Sequence, residues 1–89
     1  MRTYIGVVHQ DGESAYGIHF PDVPGCFSAT DTLSDLLPNA AEALALHLED
    51  KAPPDARPLE QVRADPEVAA DLAAGAMLVA VPWFSLTGR

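Results

Sequence analysis

Apolar residues change their spacing several times along this 89-residue chain, and each spacing predicts an element. From Arg2 to His9, Tyr4, Ile5, Val7 and Val8 supply β-formers and predict a strand. Gln10-Asp11-Gly12-Glu13-Ser14 is polar, and its Asp-Gly pair predicts a hairpin turn. From Ala15 to Phe20, Tyr16, Ile18 and Phe20 alternate with Gly17 and His19, which gives a second strand one apolar face. Cys26 to Ala29 is a short third strand, so the first third of the chain predicts an antiparallel meander. Between the second and third strands stands Phe20-Pro21-Asp22-Val23-Pro24-Gly25-Cys26. Pro21 and Pro24 fix their own φ and push the residue before each toward extended backbone. Gly25 can take a positive φ that a side chain resists. The segment therefore predicts a rigid corner, with Pro21, Pro24 and Gly25 as its structural residues.

The period then lengthens. Leu33, Leu36, Leu37, Ala40, Ala41, Leu44 and Leu48 recur at helical spacing and predict one apolar stripe. Thr32 is the expected N-cap, with Asp35 near the positive end of the helix dipole. Pro38 interrupts the pattern. In a helix interior it removes the hydrogen bond to the Ser34 carbonyl at a cost of about 3 kcal/mol, so a kink or a discontinuous first turn is expected. Lys51 to Pro58 holds three of the eight prolines and reads as an exposed loop. Leu59 to Ala64 and Glu67 to Ala74 read as short helical pieces broken at Asp65-Pro66, with Gly75 as a C-terminal stop. Ala76 to Val81 is nearly continuous in apolar residues, as expected of a strand covered on both faces or at a sheet centre. Pro82 then ends ladder pairing or marks an edge. The order predicts an α+β domain: a three-stranded antiparallel meander, one main helix packed on the sheet, a short helical insert over residues 52–75, and a final strand. Two layers are expected, with residues 1–89 as a single domain.

The corner and the segment after it also carry a likeness. FPDVPGC, then a Thr/Asp helix start and an Ala/Leu-rich helix, resembles the core motif of HicB-family antitoxins. The likeness runs from about Tyr4 to Leu48 and resumes from Ala76 to Phe84; Glu49 to Gly75 matches nothing recognisable. It implies a sheet-and-helix core often described as a reduced RNase H-like fold. It also implies an antitoxin subunit whose partner is a small basic, RNA-cleaving toxin. Members of the family often add a DNA-binding module after this domain. Leu86-Thr87-Gly88-Arg89 falls about where that module begins, so the chain as it stands is expected to lack it and not to bind nucleic acid directly.

Charge changes the picture in the same direction. Thirteen acidic and five basic residues leave a formal net charge of −8. Nucleic-acid binding and docking on anionic membranes both need clustered Lys and Arg. A basic protein is the natural complement, because opposite fields speed encounter; the plainer reading is that acidity only maintains solubility. A chain of this length buries roughly 60–65% of the surface its unfolded form exposes, so its stability margin is thin and association can add to it. Edge strands of a small sheet also invite pairing with a second copy, and a homodimer or tetramer is expected. No apolar run reaches the roughly 20 residues that span a membrane, and the N-terminus lacks a signal-peptide pattern. One cysteine excludes an internal disulfide and fits a reducing cytoplasm.

Candidate chemistry is sparse. Cys26 as a nucleophile with His9 or His19 as base is weighed against Cys26 as a small buried hydrophobe, and the second is favoured. A two-metal nuclease needs several converging carboxylates. Asp11 reads as a hairpin residue and Asp31 and Asp35 as capping residues, which leaves only Asp22 in the rigid corner. One Cys and three scattered His lack zinc-ligand spacing. No catalytic residue, metal or cofactor is assigned, and His47 reads as a helix-flank residue. The residues expected to touch a partner are Phe20, Asp22, Pro24 and Trp83, with acidic residues near the helix. For Asp22 a local turn role stays open, as does a core role for Trp83.

Overall fold

In the computed structural model, residues 2–11 and 15–84 are described. Strand β1 (Arg2–Asp11) lies between β2 (Ala15–His19) and β4 (Met77–Trp83), and β3 (Phe27–Thr30) pairs with β2 at one edge. All three pairings are antiparallel, in the order β3-β2-β1-β4. The meander is as its alternation predicts, with β1 running two residues past His9 to Asp11. Gly12 to Ser14, the heart of the expected hairpin turn, lie outside the described residues.

Alternation along β1 sends side chains to two different cores. Tyr4 and Val8 face Ile18, Phe20, Val23, Cys26 and Val81, and helix α1 (Leu33–His47) closes that face with Leu36, Ala40 and Leu44; Leu48, its C-cap, completes the closure. Gly6 sits in the same row. A Cβ there would stand 2.5 Å from Ile18 Cδ1 and 3.2 Å from Phe20 Cε1, so the missing side chain is the space those two residues fill. Ile5 and Val7 point the other way and pack with Val62 of α2 (Leu59–Ala64) and Val68 of α3 (Pro66–Ala73).

The expected two layers are therefore three. The α+β class holds, but the insert is not a connector alone: it covers the second face of the sheet. This also explains the apolar run at Ala76–Val81. Strand β4 is an edge strand rather than a central one, yet Val81 packs under α1 while Leu78 packs against the α2–α3 cluster.

Helix α1 departs from its predicted stripe at one end. Leu36, Ala40, Leu44 and Ala45 are buried, whereas Leu33 and Leu37 are exposed. Both keep the helical spacing yet stand on exposed positions in the first half of the helix. Thr32 holds the N-cap position in extended backbone, but its hydroxyl donates to Asp35 Oδ2 at 2.7 Å rather than accepting from a backbone N–H. Pro38 lies inside a continuous helix on an exposed side. Helix α3 is capped at both ends: Asp65 accepts from Glu67 N–H at 2.9 Å, and Gly75 (φ 106°) closes a Schellman turn. In that turn Ala76 N–H bonds the Asp71 carbonyl and Gly75 N–H the Leu72 carbonyl.

Pro38→Ala restores a donor to the Ser34 carbonyl at an exposed site. It is expected to raise the unfolding free energy by roughly 1–3 kcal/mol, the helix gain offset in part by a freer unfolded chain. Urea denaturation followed by circular dichroism checks this.

Candidate partner-binding site

The corner is two turns in series, each with a proline in second place. Val23 N–H donates to the Phe20 carbonyl at 3.0 Å, and Cys26 N–H to the Val23 carbonyl at 3.1 Å. Gly25 has φ 86°, the positive value that the third position of a type II turn requires after Pro24. Phe20, Val23 and Cys26, the inward-facing residues of the corner, are all buried in the α1-side core. Pro24 and Gly25 form the exposed tip, and a Cβ on Gly25 would stand 3.5 Å from His47 of α1. Burial raises the Cys26 thiol above its ordinary pKa. The Cys–His arrangement weighed from sequence does not form, because Cys26 faces α1 while His9 and His19 lie on the opposite face of the sheet.

Asp22 is held from within. Its carboxylate accepts from Arg57 N–H at 2.8 Å and from Arg57 Nε at 2.6 Å, with the Asp22 side chain only 8% exposed. Arg57 Nη1 reaches on to Asp65 Oδ2 at 3.2 Å, so one guanidinium joins the corner to the N-cap of α3. The hydrogen bond to Asp22 is the main influence raising the Arg57 pKa. The Asp65 carboxyl is held below its ordinary value, first by Glu67 N–H and then by Arg57. The loop carrying Arg57 has a second tie: Tyr4 Oη donates to the Pro54 carbonyl at 2.6 Å, and Arg2 Nη1 adds a longer bond of 3.3 Å to the same oxygen. Burial raises the Tyr4 phenol.

Of the four residues expected to touch a partner, Phe20 and Asp22 thus have internal partners, Pro24 is exposed, and Trp83 is half-buried against the α1-side core. Trp83 pairs with Arg2, at the end of the sheet where the corner also stands. Its Nε1–H is buried without a hydrogen-bond acceptor among the described residues. The exposed surface of α1 and its flanking loops is acidic, with Asp31, Asp35, Glu42, Glu49 and Asp50 on or beside α1 and Asp55 on the loop. Asp22, Asp31 and Asp35 do not converge into a metal-ligating group. Among the described residues, the one cluster with ligands close enough is His9, His19 and Asp71, on the other face. Sequence reasoning missed Arg57 altogether. The signal available was an arginine set among three prolines within an acidic chain.

Comparison with known proteins was consistent across sequence and structure. Residues 4–87 match the family described as HicB_like antitoxin of bacterial toxin-antitoxin system. A protein of Haemophilus phage HP1 (strain HP1c1), described as an uncharacterized 14.9 kDa protein in the rep-hol intergenic region, is 47% identical over 57 residues. That match covers 58% of this chain and 43% of the phage protein, so it spans less than half of that relative. The crystal structure of the N-terminal domain of Burkholderia pseudomallei antitoxin HicB superposes with a TM-score of 0.75 at 29% identity, over 93% of this chain and 99% of that one. A structure described as the HicA3 and HicB3 toxin-antitoxin complex gives 0.74 at 27% identity, over 93% and 99% respectively.

Removing Arg57 leaves a nearly buried carboxylate without its counter-charge. Arg57→Ala is expected to cost about 2–3 kcal/mol, below the full penalty of a buried pair because the guanidinium is one-third exposed. Asp22→Asn is expected to cost less, since it keeps an acceptor for Arg57 N–H; urea unfolding of both variants measures the difference. Asp65 gives a pH signature. A carboxyl with a lowered folded pKa adds stability that is fully present above its unfolded value of about 3.9 and is lost as pH falls through the folded value. Asp65→Asn keeps the cap but not the charge, so the stability gap between it and the parent is expected to close as pH drops below about 4.

Proposed function

The chain belongs to the HicB-like antitoxin family of bacterial toxin-antitoxin systems, and from that premise we propose that it neutralises a small basic, RNA-cleaving, HicA-like toxin by binding it directly. The observation that carries this is the fold-wide match to a structure described as a toxin-antitoxin complex, at a TM-score of 0.74 over 93% of the chain. The charge of −8 supports it independently. An acidic surface laid over the basic face that RNA needs would inhibit by exclusion and by charge, with no bond made or broken by this chain and no cofactor. The complex would form in the cytoplasm; among the described residues no helix is long and apolar enough to cross a membrane.

The corner would take part through its exposed tip, Pro24 and Gly25, and through the acidic surface of α1. Phe20 and Asp22 would act by holding that tip in place, Phe20 from the core and Asp22 through Arg57. Trp83 would contribute from the neighbouring sheet end. Residues 1–89 would act as one toxin-binding domain. Strand β3 favours a second, compatible role. It is an open edge carrying Phe27, which is 73% exposed, and it would pair with another copy in a homodimer or tetramer. If no toxin binds, an orphan homo-oligomeric interaction module becomes the better account.

Co-expression with a tagged product of the neighbouring gene tests the reading. A small basic protein is expected to co-purify stoichiometrically, with its growth arrest relieved. Association should slow steeply as salt rises, and Glu42→Lys with Glu49→Lys should slow it by roughly 10-fold or more at low salt. Stopped-flow mixing reads both effects. A discrete oligomer that captures nothing would reject the antitoxin role.

A further inference from the structure

We propose that His9, His19 and Asp71 form a binding site for a zinc-type divalent transition metal, on the sheet face opposite α1. The three residues come from β1, β2 and α3, and one ligating atom from each lies within 4.8 Å of the other two. Strand register creates the pair of histidines. Val7 stands opposite His19 and His9 opposite Gly17, so His9 and His19 are diagonal neighbours on one face. Their rings stack with centroids 5.2 Å apart and planes 14° from parallel. Asp71 approaches from above, with Oδ2 3.8 Å from His19 Nε2.

Two imidazoles and one carboxylate are a donor set that suits zinc, with a fourth position left for water. Tetrahedral zinc with ligand bonds near 2.0–2.1 Å wants its donor atoms about 3.3 Å apart, so the present spacing must contract by up to about 1.5 Å. Side-chain rotation can supply this, because χ2 of His and Asp is broad. The backbone beneath is already fixed. His9 and His19 sit on a paired ladder, and α3 is held by its Asp65 cap and its Gly75 turn. His19 and Asp71 are 42% and 34% exposed at their side chains, which leaves an entry path. The arrangement has a mechanical effect as well: a bound ion would fasten α3 to the sheet at a point away from the Arg57–Asp65 contact. This site shares no residue with the toxin-binding reading, and either stands without the other.

Calorimetric titration of the chelator-treated chain with Zn²⁺ at pH 7.5 tests the proposal. One ion per chain is expected, together with a rise in the thermal midpoint, since a ligand of the folded state stabilises it by mass action. His19→Gln and Asp71→Asn should each weaken binding by at least about 10-fold, the loss expected for even a supporting residue of a metal site. His47→Gln, away from the cluster, should leave affinity unchanged. Far-UV circular dichroism of each variant confirms that its fold is intact. No Zn²⁺ uptake at micromolar concentration, or equal affinity in His19→Gln and the parent, would overturn the site.

Discussion

The pair between Asp22 and Arg57 is the constraint on which the two halves of this fold meet. Asp22 stands in a corner that joins β2 to β3, and Arg57 lies in the loop that leaves α1 and enters α2. Without a link between them, α2 and α3 would be joined to the sheet chiefly by four buried side chains. The pair is nearly buried on the carboxylate side and more open on the guanidinium side. That asymmetry suits Arg57 to its double duty, since the planar fork can serve Asp22 with one edge and Asp65 with another. A lysine has no such geometry.

Much of this was legible in residue order. The alternation at Tyr16, Ile18 and Phe20 placed β2 and its inner face. Pro24-Gly25 specified a turn whose positive φ the structure contains, and Gly75 marked the end of α3. What stayed hidden was everything that depends on which element lies over which. Short helices of six and eight residues do not announce the face they cover, so the second layer behind β1 could not be told from a connector. The exposed Leu33 and Leu37 fit the helical stripe by spacing, and spacing alone does not say how far along the helix the covering core extends. His9 and His19 are separated by a turn, and their meeting is a matter of diagonal register that linear spacing cannot display.

Charge and packing divide the labour at the proposed contact surface. The core-facing residues of the corner settle its shape, and the acidic residues along α1 and its flanking loops settle the field a partner meets. These are separable because Asp22, the one acidic residue inside the corner, has its charge matched within the chain. On that proposal a partner would meet a stiff, nearly uncharged tip on an acidic domain. Such an arrangement favours long-range attraction first and shape matching second.

The two cores are unequal: among the described residues, eleven buried side chains make up the core on the α1 side and four the core on the α2–α3 side. Local opening follows the smaller set of buried apolar contacts. The insert is thus the layer that detaches first, peeling from the sheet while the α1 side remains closed. Backbone amides of α2 and α3 would then exchange their hydrogens ahead of those in the β1–β2 ladder. The chain would behave as two cooperative units of different lifetime, with Arg57 as the latch between them.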